Sequence, residues 1–245
     1  MSDELPRIVL RSVQVRYIAP DGQRTLCPLD AAGAIAFEEC LPARHIPHRK
    51  NQQHTPAWHW SSTTNRMVVY ESYLESVWMT LLDFDPQVIS YSSQPMLLDG
   101  VDNLGAWKAY PDLFVRRLDG TGTLVEVKNP EKIADAKVQL TARRVAACAA
   151  AAGWGYDLLG APPHQQTAIN VLHLAGYRRE MVGVAQYRDR LLALAADPVR
   201  FGDLVGFFED DQVARAVAAH LCWTQELEVD LSEPLEDTTV VRAAR

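Results

Sequence analysis

This 245-residue chain has only four cysteines, Cys27, Cys40, Cys148 and Cys222, and no two form a CxxC pair, which excludes a disulfide framework and a zinc ribbon. No stretch approaches the roughly 20 apolar residues of a membrane span. The start Met1-Ser2-Asp3-Glu4-Leu5-Pro6 lacks the basic and apolar regions of a signal peptide, so a cytoplasmic location is expected. Positive charge is short as well: 24 Lys and Arg against 31 Asp and Glu leave a net charge of −7. Affinity for duplex DNA comes mainly from phosphate neutralisation, so such a chain does not grip nucleic acid broadly on its own. Internal repeats and low-complexity tracts are lacking too. What is there, 48% hydrophobic and 22% charged residues, suffices for one substantial core and a small second module.

Charge concentrates where apolar strands are expected. Tyr110-Pro111-Asp112-Leu113-Phe114-Val115 and Leu124-Val125-Glu126-Val127-Lys128 flank Asp119-Gly120-Thr121-Gly122, which reads as a β-hairpin. Glu126 and Lys128 are two apart and share a face. With the hairpin centred on Gly120, residues whose numbers sum to about 240 lie opposite each other, which sets Asp112 across from Lys128 and on the face of Glu126. Two carboxylates a few ångströms apart repel each other unless a divalent cation sits between them, and oxygen-only donors suit Mg²⁺ or Mn²⁺. A third carboxylate comes from upstream. Ser72-x-x-Glu75 reads as a capping box, with the glutamate returning to the Ser72 N–H, and also as a source of that carboxylate. Glu71, one turn away on the flank of the same helix, is the other candidate.

Asp112 after Pro111, Glu126-Val127-Lys128 and an upstream helical Glu resemble the PD-(D/E)xK nuclease superfamily. Over roughly residues 28–180 the ordered series is more specific. Tyr70-Glu71-Ser72-Tyr73-Leu74-Glu75, Asp83-Phe84-Asp85-Pro86-Gln87-Val88, Gln94-Pro95, Tyr110-Pro111-Asp112 and Val125-Glu126-Val127-Lys128 are similar to the TnsA-like endonuclease subunit of heteromeric transposases. The resemblance implies a metal-dependent endonuclease that hydrolyses the 5′, non-transferred strand of double-stranded DNA at transposon ends. Its implied partners are a TnsB-like transposase and a TnsC-like AAA+ ATPase. It implies Glu75, Asp112 and Glu126 as ligands of Mg²⁺ or Mn²⁺ with the Val127 carbonyl, and Lys128 as the group that positions the attacking water. Two further readings stand beside it: a restriction or defence nuclease of the same fold, and a catalytically silent DNA-binding or assembly adaptor. The intact Asp112, Glu126 and Lys128 count against the last.

The expected fold class is α/β, a restriction-endonuclease-like mixed sheet flanked by helices with a small winged-helix-like C-terminal module. Residues 1–60 would hold two strands around Pro20-Asp21-Gly22, a short helix over 29–40 and a basic arm. In that arm Arg44, His48, Arg49 and Lys50 are candidate DNA contacts, with the pairs Arg116-Arg117, Arg143-Arg144 and Arg178-Arg179 as further local patches. The nuclease core, 61–176, would run helix 71–83, strands near 88–98, 110–118 and 123–128, helix 131–152 ended by Gly153, strand 154–160 and helix 164–176. Residues 177–245 would carry helices 180–196, 200–208 and 210–224 and a two-stranded wing. Asp210 and Asp211 at the start of its third helix, with Glu228, Asp230, Glu233, Glu236 and Asp237 in the wing, point to docking of a protein rather than reading of DNA.

Overall fold

A computed structural model of the chain describes residues 7–44, 56–180 and 183–244. These divide into two compact units, one made of the chain up to Met79 with Asp85–Ala161, the other of Thr80–Phe84 with the chain from Pro162 onward.

The first unit opens with β1 (Leu10–Ile18), β2 (Arg24–Pro28), the single turn α1 (Leu29–Ala32) and a 3-10 turn at Phe37–Glu39, where a longer helix over 29–40 was expected. The hairpin β3 (Ala57–Ser61) and β4 (Arg66–Tyr70) leads into α2 (Tyr73–Phe84), whose last turn belongs to the second unit. Then come β5 (Val88–Ser93), β6 (Leu97–Asp102), β7 (Gly105–Ala109), β8 (Leu113–Arg117), β9 (Gly122–Val127), α3 (Pro130–Ile133), α4 (Ala136–Ala152) and β10 (Gly155–Leu159). The expected strand 88–98 is two strands in different sheets, broken at Gln94-Pro95, because Gln94 has φ 47° and Pro95 offers no N–H to a ladder. The expected helix 131–152 is likewise two, α3 capped by Asn129, whose side chain accepts from the Glu131 N–H, and α4 closed by Gly153 at φ 77°.

One sheet runs β2-β1-β6-β7, antiparallel throughout. The other runs β10-β9-β8-β5 and is mixed: β5, β8 and β9 are antiparallel neighbours, and β10 lies parallel to β9. A parallel pair needs a crossover, and α4 supplies it, burying Ala142, Val145, Cys148 and Ala149 along one stripe. Strand β9 is buried at every position, as a strand covered on both faces should be. Beneath it Phe37, Phe114 and Trp154 pack ring on ring with centroids 5.4 to 5.7 Å apart. Gly122 sits under the Phe114 ring, where a Cβ would lie 2.5 Å from the ring carbon. Truncating Phe114 to alanine would cost about 3–5 kcal/mol.

The β8–β9 hairpin forms, but its register departs from expectation by two residues. Leu113 pairs with Val125 and Arg116 with Gly122, so Asp112 lies level with Glu126, not with Lys128. The turn explains the difference. Gly120 at φ 85° is the left-handed last residue of a three-residue loop closed by Gly120 N–H to Arg117 O and Arg117 N–H to Thr121 O, so the loop is centred on Asp119. A slip of two preserves the face because side chains alternate with period two.

The second unit contains α5 (Gln165–Leu174), a 3-10 turn at Ala175–Tyr177, α6 (Val184–Leu194), β11 (Val199–Arg200), α7 (Phe201–Gly206), α8 (Asp211–Trp223), β12 (Leu227–Val229) and β13 (Val240–Ala243). Its three short strands pair antiparallel in the order β11-β13-β12, one strand more than the expected wing. Leu191, Leu204, Ala214, Val217, Leu221, Leu227 and Val241 form its core. Helix α5, expected to close the nuclease core, puts Val171 and Leu174 into this C-terminal core instead. The boundary between units therefore falls near residue 161 rather than 176, and β1 and β2 join the first unit rather than a segment of their own.

Candidate active site

Asp112 stands immediately before β8, and its Oδ2 accepts two hydrogen bonds of 2.8 Å, from the Val127 N–H and from the Lys128 ammonium. Lys128 Nζ also lies 3.9 Å from Glu126 Oε1. Within an extended strand a residue's N–H and C=O point to the same side, so the Val127 carbonyl faces the Asp112 side while the Lys128 N–H turns to Leu159 O on β10. Two carboxylates, an ammonium and a carbonyl thus converge at one end of the mixed sheet. Glu126, although 3% exposed, is held by the Tyr156 hydroxyl, which donates to Oε2 at 2.7 Å. Tyr156 was not foreseen from sequence. A tyrosine in the strand neighbouring a buried acid was the available signal, and it needs the β9–β10 pairing to be known.

Glu75 lies at the N-terminus of α2, a helix tied to the end of β10 by the Trp78 Nε1–H donating to Gly160 O at 2.7 Å. The cap forms. The Glu75 N–H donates to Ser72 Oγ, the Ser72 hydroxyl donates to Glu75 Oε1 at 2.8 Å, and Glu75 Oε2 accepts from the N–H of Glu71 rather than of Ser72. Even so, burial and then the charge of Asp112 raise its pKa to about 7, because the hydrogen bonds from the Glu71 N–H and Ser72 offset only part of the desolvation. Glu71 has other ties: both its oxygens accept from Arg44, Oε2 at 2.6 Å, and Oε1 also accepts from Gln94 Nε2 at 2.7 Å.

The electrostatics are those of carboxylates crowded away from water. Burial raises the Glu126 pKa, with Lys128 and the Tyr156 hydrogen bond opposing and Asp112 reinforcing. Burial works against the Lys128 ammonium, but the charge and hydrogen bond of Asp112, helped by Glu126 and Glu75, outweigh it and raise its pKa. Tyr156 is pushed up by burial and by Glu126, so it remains a donor. Among the described residues no three His, Cys, Asp or Glu side chains form a group that could hold a metal ion as they stand. The donor chemistry nevertheless fits a hard divalent cation: all the donors are oxygens, and two buried acids are destabilised by a neighbouring negative charge.

Of the candidate DNA contacts, Arg44 clamps Glu71 and stacks 5.6 Å from the Tyr110 ring centroid, two residues before Asp112, while His48, Arg49 and Lys50 lie outside the described residues. Several of the arginine pairs are committed within the chain: Arg116 to Glu38, Arg117 to Asp85 and Arg144 to Asp102. A cavity of about 290 Å³ lies in the C-terminal unit, lined by His173, Tyr177, Phe201 and Arg215 among others, and holds none of the candidate site residues. No helix among the described residues is long and apolar enough to cross a membrane. The chain matches no protein-family model, and no curated protein matches it in sequence.

Proposed function

We propose that this chain is a metal-dependent DNA endonuclease, the TnsA-like subunit of a heteromeric transposase, which cuts the 5′ strand at transposon ends by phosphodiester hydrolysis. The observation that carries the reading is the convergence of Asp112, Glu126 and Lys128 at one end of a mixed sheet, with Asp112 Oδ2 gripped by the Val127 N–H and the Lys128 ammonium. The architecture supports it. Helix α2, three antiparallel strands, the crossover α4 and a parallel β10 form a mixed α/β arrangement, which is consistent with the restriction-endonuclease-like fold proposed. The order α6, β11, α7, α8, β12, β13 supports a winged-helix-like second module.

Asp112, Glu126 and the Val127 carbonyl would hold Mg²⁺ or Mn²⁺, with Glu75 as the third carboxylate; Glu71 is already neutralised by Arg44, whereas Glu75 feels the charge of Asp112. Bound there, such a cation supplies positive charge for the scissile phosphate and lowers the pKa of water. Lys128 acts as a donor and not as a base: its neighbours keep it protonated, so it orients a water and meets the negative charge that builds on the phosphate. Tyr156 fixes the rotamer of Glu126. The low positive charge makes the enzyme depend on its TnsB-like and TnsC-like partners to bring the DNA, with the basic arm as a local contact. The site belongs to a cytoplasmic complex in this reading.

The test is strand nicking of an end-bearing duplex with Mg²⁺ or Mn²⁺ and the partner proteins, comparing the native chain with Asp112→Ala. Loss of nicking with an unchanged melting profile is expected. Native-level cutting by Asp112→Ala overturns the assignment.

A further inference from the structure

We infer that Gln94 is a positioning residue of this site, joining Asp112 to the helix terminus that carries Glu75; the inference rests on the nuclease reading. Gln94 occupies the link between β5 and β6 with φ 47°, a left-handed conformation that residues with a Cβ adopt rarely. The following Pro95 restricts it further, since a residue before proline is driven toward extended backbone. It is only 4% exposed, and its Oε1 is buried without a hydrogen-bond donor. A residue that is strained, buried and incompletely satisfied persists only where its surroundings over-determine it, and such residues cluster at functional sites.

The surroundings here are specific. The Gln94 N–H donates to Asp112 O at 2.7 Å, and its carbonyl accepts from the Ala43 N–H at 2.8 Å. Its Nε2 donates to Glu71 Oε1 at 2.7 Å, and the Glu71 N–H donates in turn to Glu75 Oε2 at 3.0 Å. A carboxylate only accepts, so Glu71 fixes which end of the amide faces it and leaves Oε1 as the unpartnered atom. Three hydrogen bonds therefore run without interruption from the Asp112 backbone through Gln94 and Glu71 to the Glu75 carboxylate. Ala43 and Arg44, at the base of the basic arm, are tied into the same cluster. This bridge links Asp112 to Glu75, whose charges repel each other, and ties the β5–β6 link, the start of α2 and Ala43-Arg44 together.

Backbone strain and side-chain grip make opposite demands, and that separates positioning from mere folding. Gln94→Gly relieves the left-handed strain and keeps the N–H to Asp112 but removes the grip on Glu71. Gln94→Glu keeps the volume but sets a carboxylate against Glu71. Titration calorimetry of full-length protein with Mn²⁺ would compare native, Gln94→Gly, Gln94→Glu and Asp112→Ala chains, with melting recorded alongside. The inference expects Gln94→Gly to melt at or above the native temperature while both Gln94 variants bind Mn²⁺ about 10- to 100-fold more weakly, the range for groups that hold ligands in place. In nicking assays the Mn²⁺ needed for half-maximal cutting rises by a similar factor and saturating Mn²⁺ restores most of the rate. Native Mn²⁺ affinity in both Gln94 variants overturns the positioning role if Asp112→Ala has lost binding. If Asp112→Ala binds Mn²⁺ like the native chain, the metal reading fails and the inference fails with it.

Discussion

Two parts of this chain are rich in carboxylates, and they hold them in opposite ways. Around the open end of β8 and β9, Glu75 and Glu126 are 7% and 3% exposed, and burial raises both their pKa values. In the link between β12 and β13, Asp230, Glu233, Glu236 and Asp237 are exposed. There the Ser232 side chain and N–H hold Asp230 below its usual pKa, and Asp237 pairs with Arg215. Residue type is the same and the physics is reversed. Exposed acids satisfied by water and local donors keep their charge at little cost, whereas buried acids pushed toward protonation carry unfavourable free energy that a cation can release.

The sharpest way to break this contrast is to delete the shared acceptor. Asp112→Ala removes the group that repels Glu75 and that anchors the Val127 N–H and Lys128. Metal-dependent nicking should fall by more than the ~100-fold that supporting groups reach. The fold should survive, and the metal-free protein should melt no lower than the native chain, since an acid that destabilised its neighbour is gone. A metal-free melting temperature several degrees lower would show that Asp112 is a structural anchor first.

Glu75 gives the next largest effect and a sign that can fail. Its folded pKa of about 7 lies above the ordinary 4.5, so between these values the folded state holds more protons than the unfolded one. Stability is then fully present below about pH 4.5, declines as pH rises and is lowest above about pH 7, by on the order of 3 kcal/mol. Glu75→Gln should flatten that decline and raise the melting temperature at pH 7.5 in chelator while losing nicking. Glu71→Gln, which keeps an oxygen to accept from Gln94 Nε2 and loses only the charge paired with Arg44, should do neither. Chemical denaturation between pH 5 and pH 8 measures the first, and a rising profile for the native chain contradicts it.

Removing one hydroxyl tests the buried side more gently. Tyr156→Phe frees Glu126 Oε2 and leaves the ring in place. Nicking should drop about 10- to 100-fold, with a stability change near 1 kcal/mol. An unaltered rate would mean that packing alone fixes the Glu126 side chain.

How much of this was readable in sequence divides along the same line. Face and parity of the acid hairpin followed from period-two alternation, which a two-residue slip does not disturb; its register did not, because whether Gly120 centres or ends the loop depends on Asp119, whose carboxylate accepts from the Thr121 N–H and hydroxyl. Helix α5 was legible as a helix and misplaced as to unit, since an apolar stripe does not say which core it faces. Strand β11, of two residues, has no period to read. Arg116, Arg117 and Arg144 pair with Glu38, Asp85 and Asp102, more than 30 residues away along the chain, and no local pattern reveals those partners. The sequence marks Gln94 as part of a motif and Tyr156 as a strand residue, but not their roles, which lie in contacts with atoms distant along the chain.

The exposed acids offer the smallest effect and the clearest control. If the link between β12 and β13 recruits a partner by charge, Glu233→Lys with Glu236→Lys should leave Mn²⁺ binding and melting as they were, because neither side chain is buried. Exposed charges contribute well under 1 kcal/mol each to folding, yet a reversed rim slows charged encounter. Stimulation of nicking by the partner proteins should fall several-fold at low salt, and the gap to the native chain should narrow as ionic strength rises past about 0.15 M and screening shortens the reach of both surfaces. Without partners the two chains should cut equally poorly at that salt, since neither has the cationic surface to hold a duplex. A double variant stimulated as strongly as the native chain at every salt concentration would assign the acidic link to solvation alone. Efficient double-strand cutting by the native chain alone would remove the need for partners and favour the restriction-type nuclease.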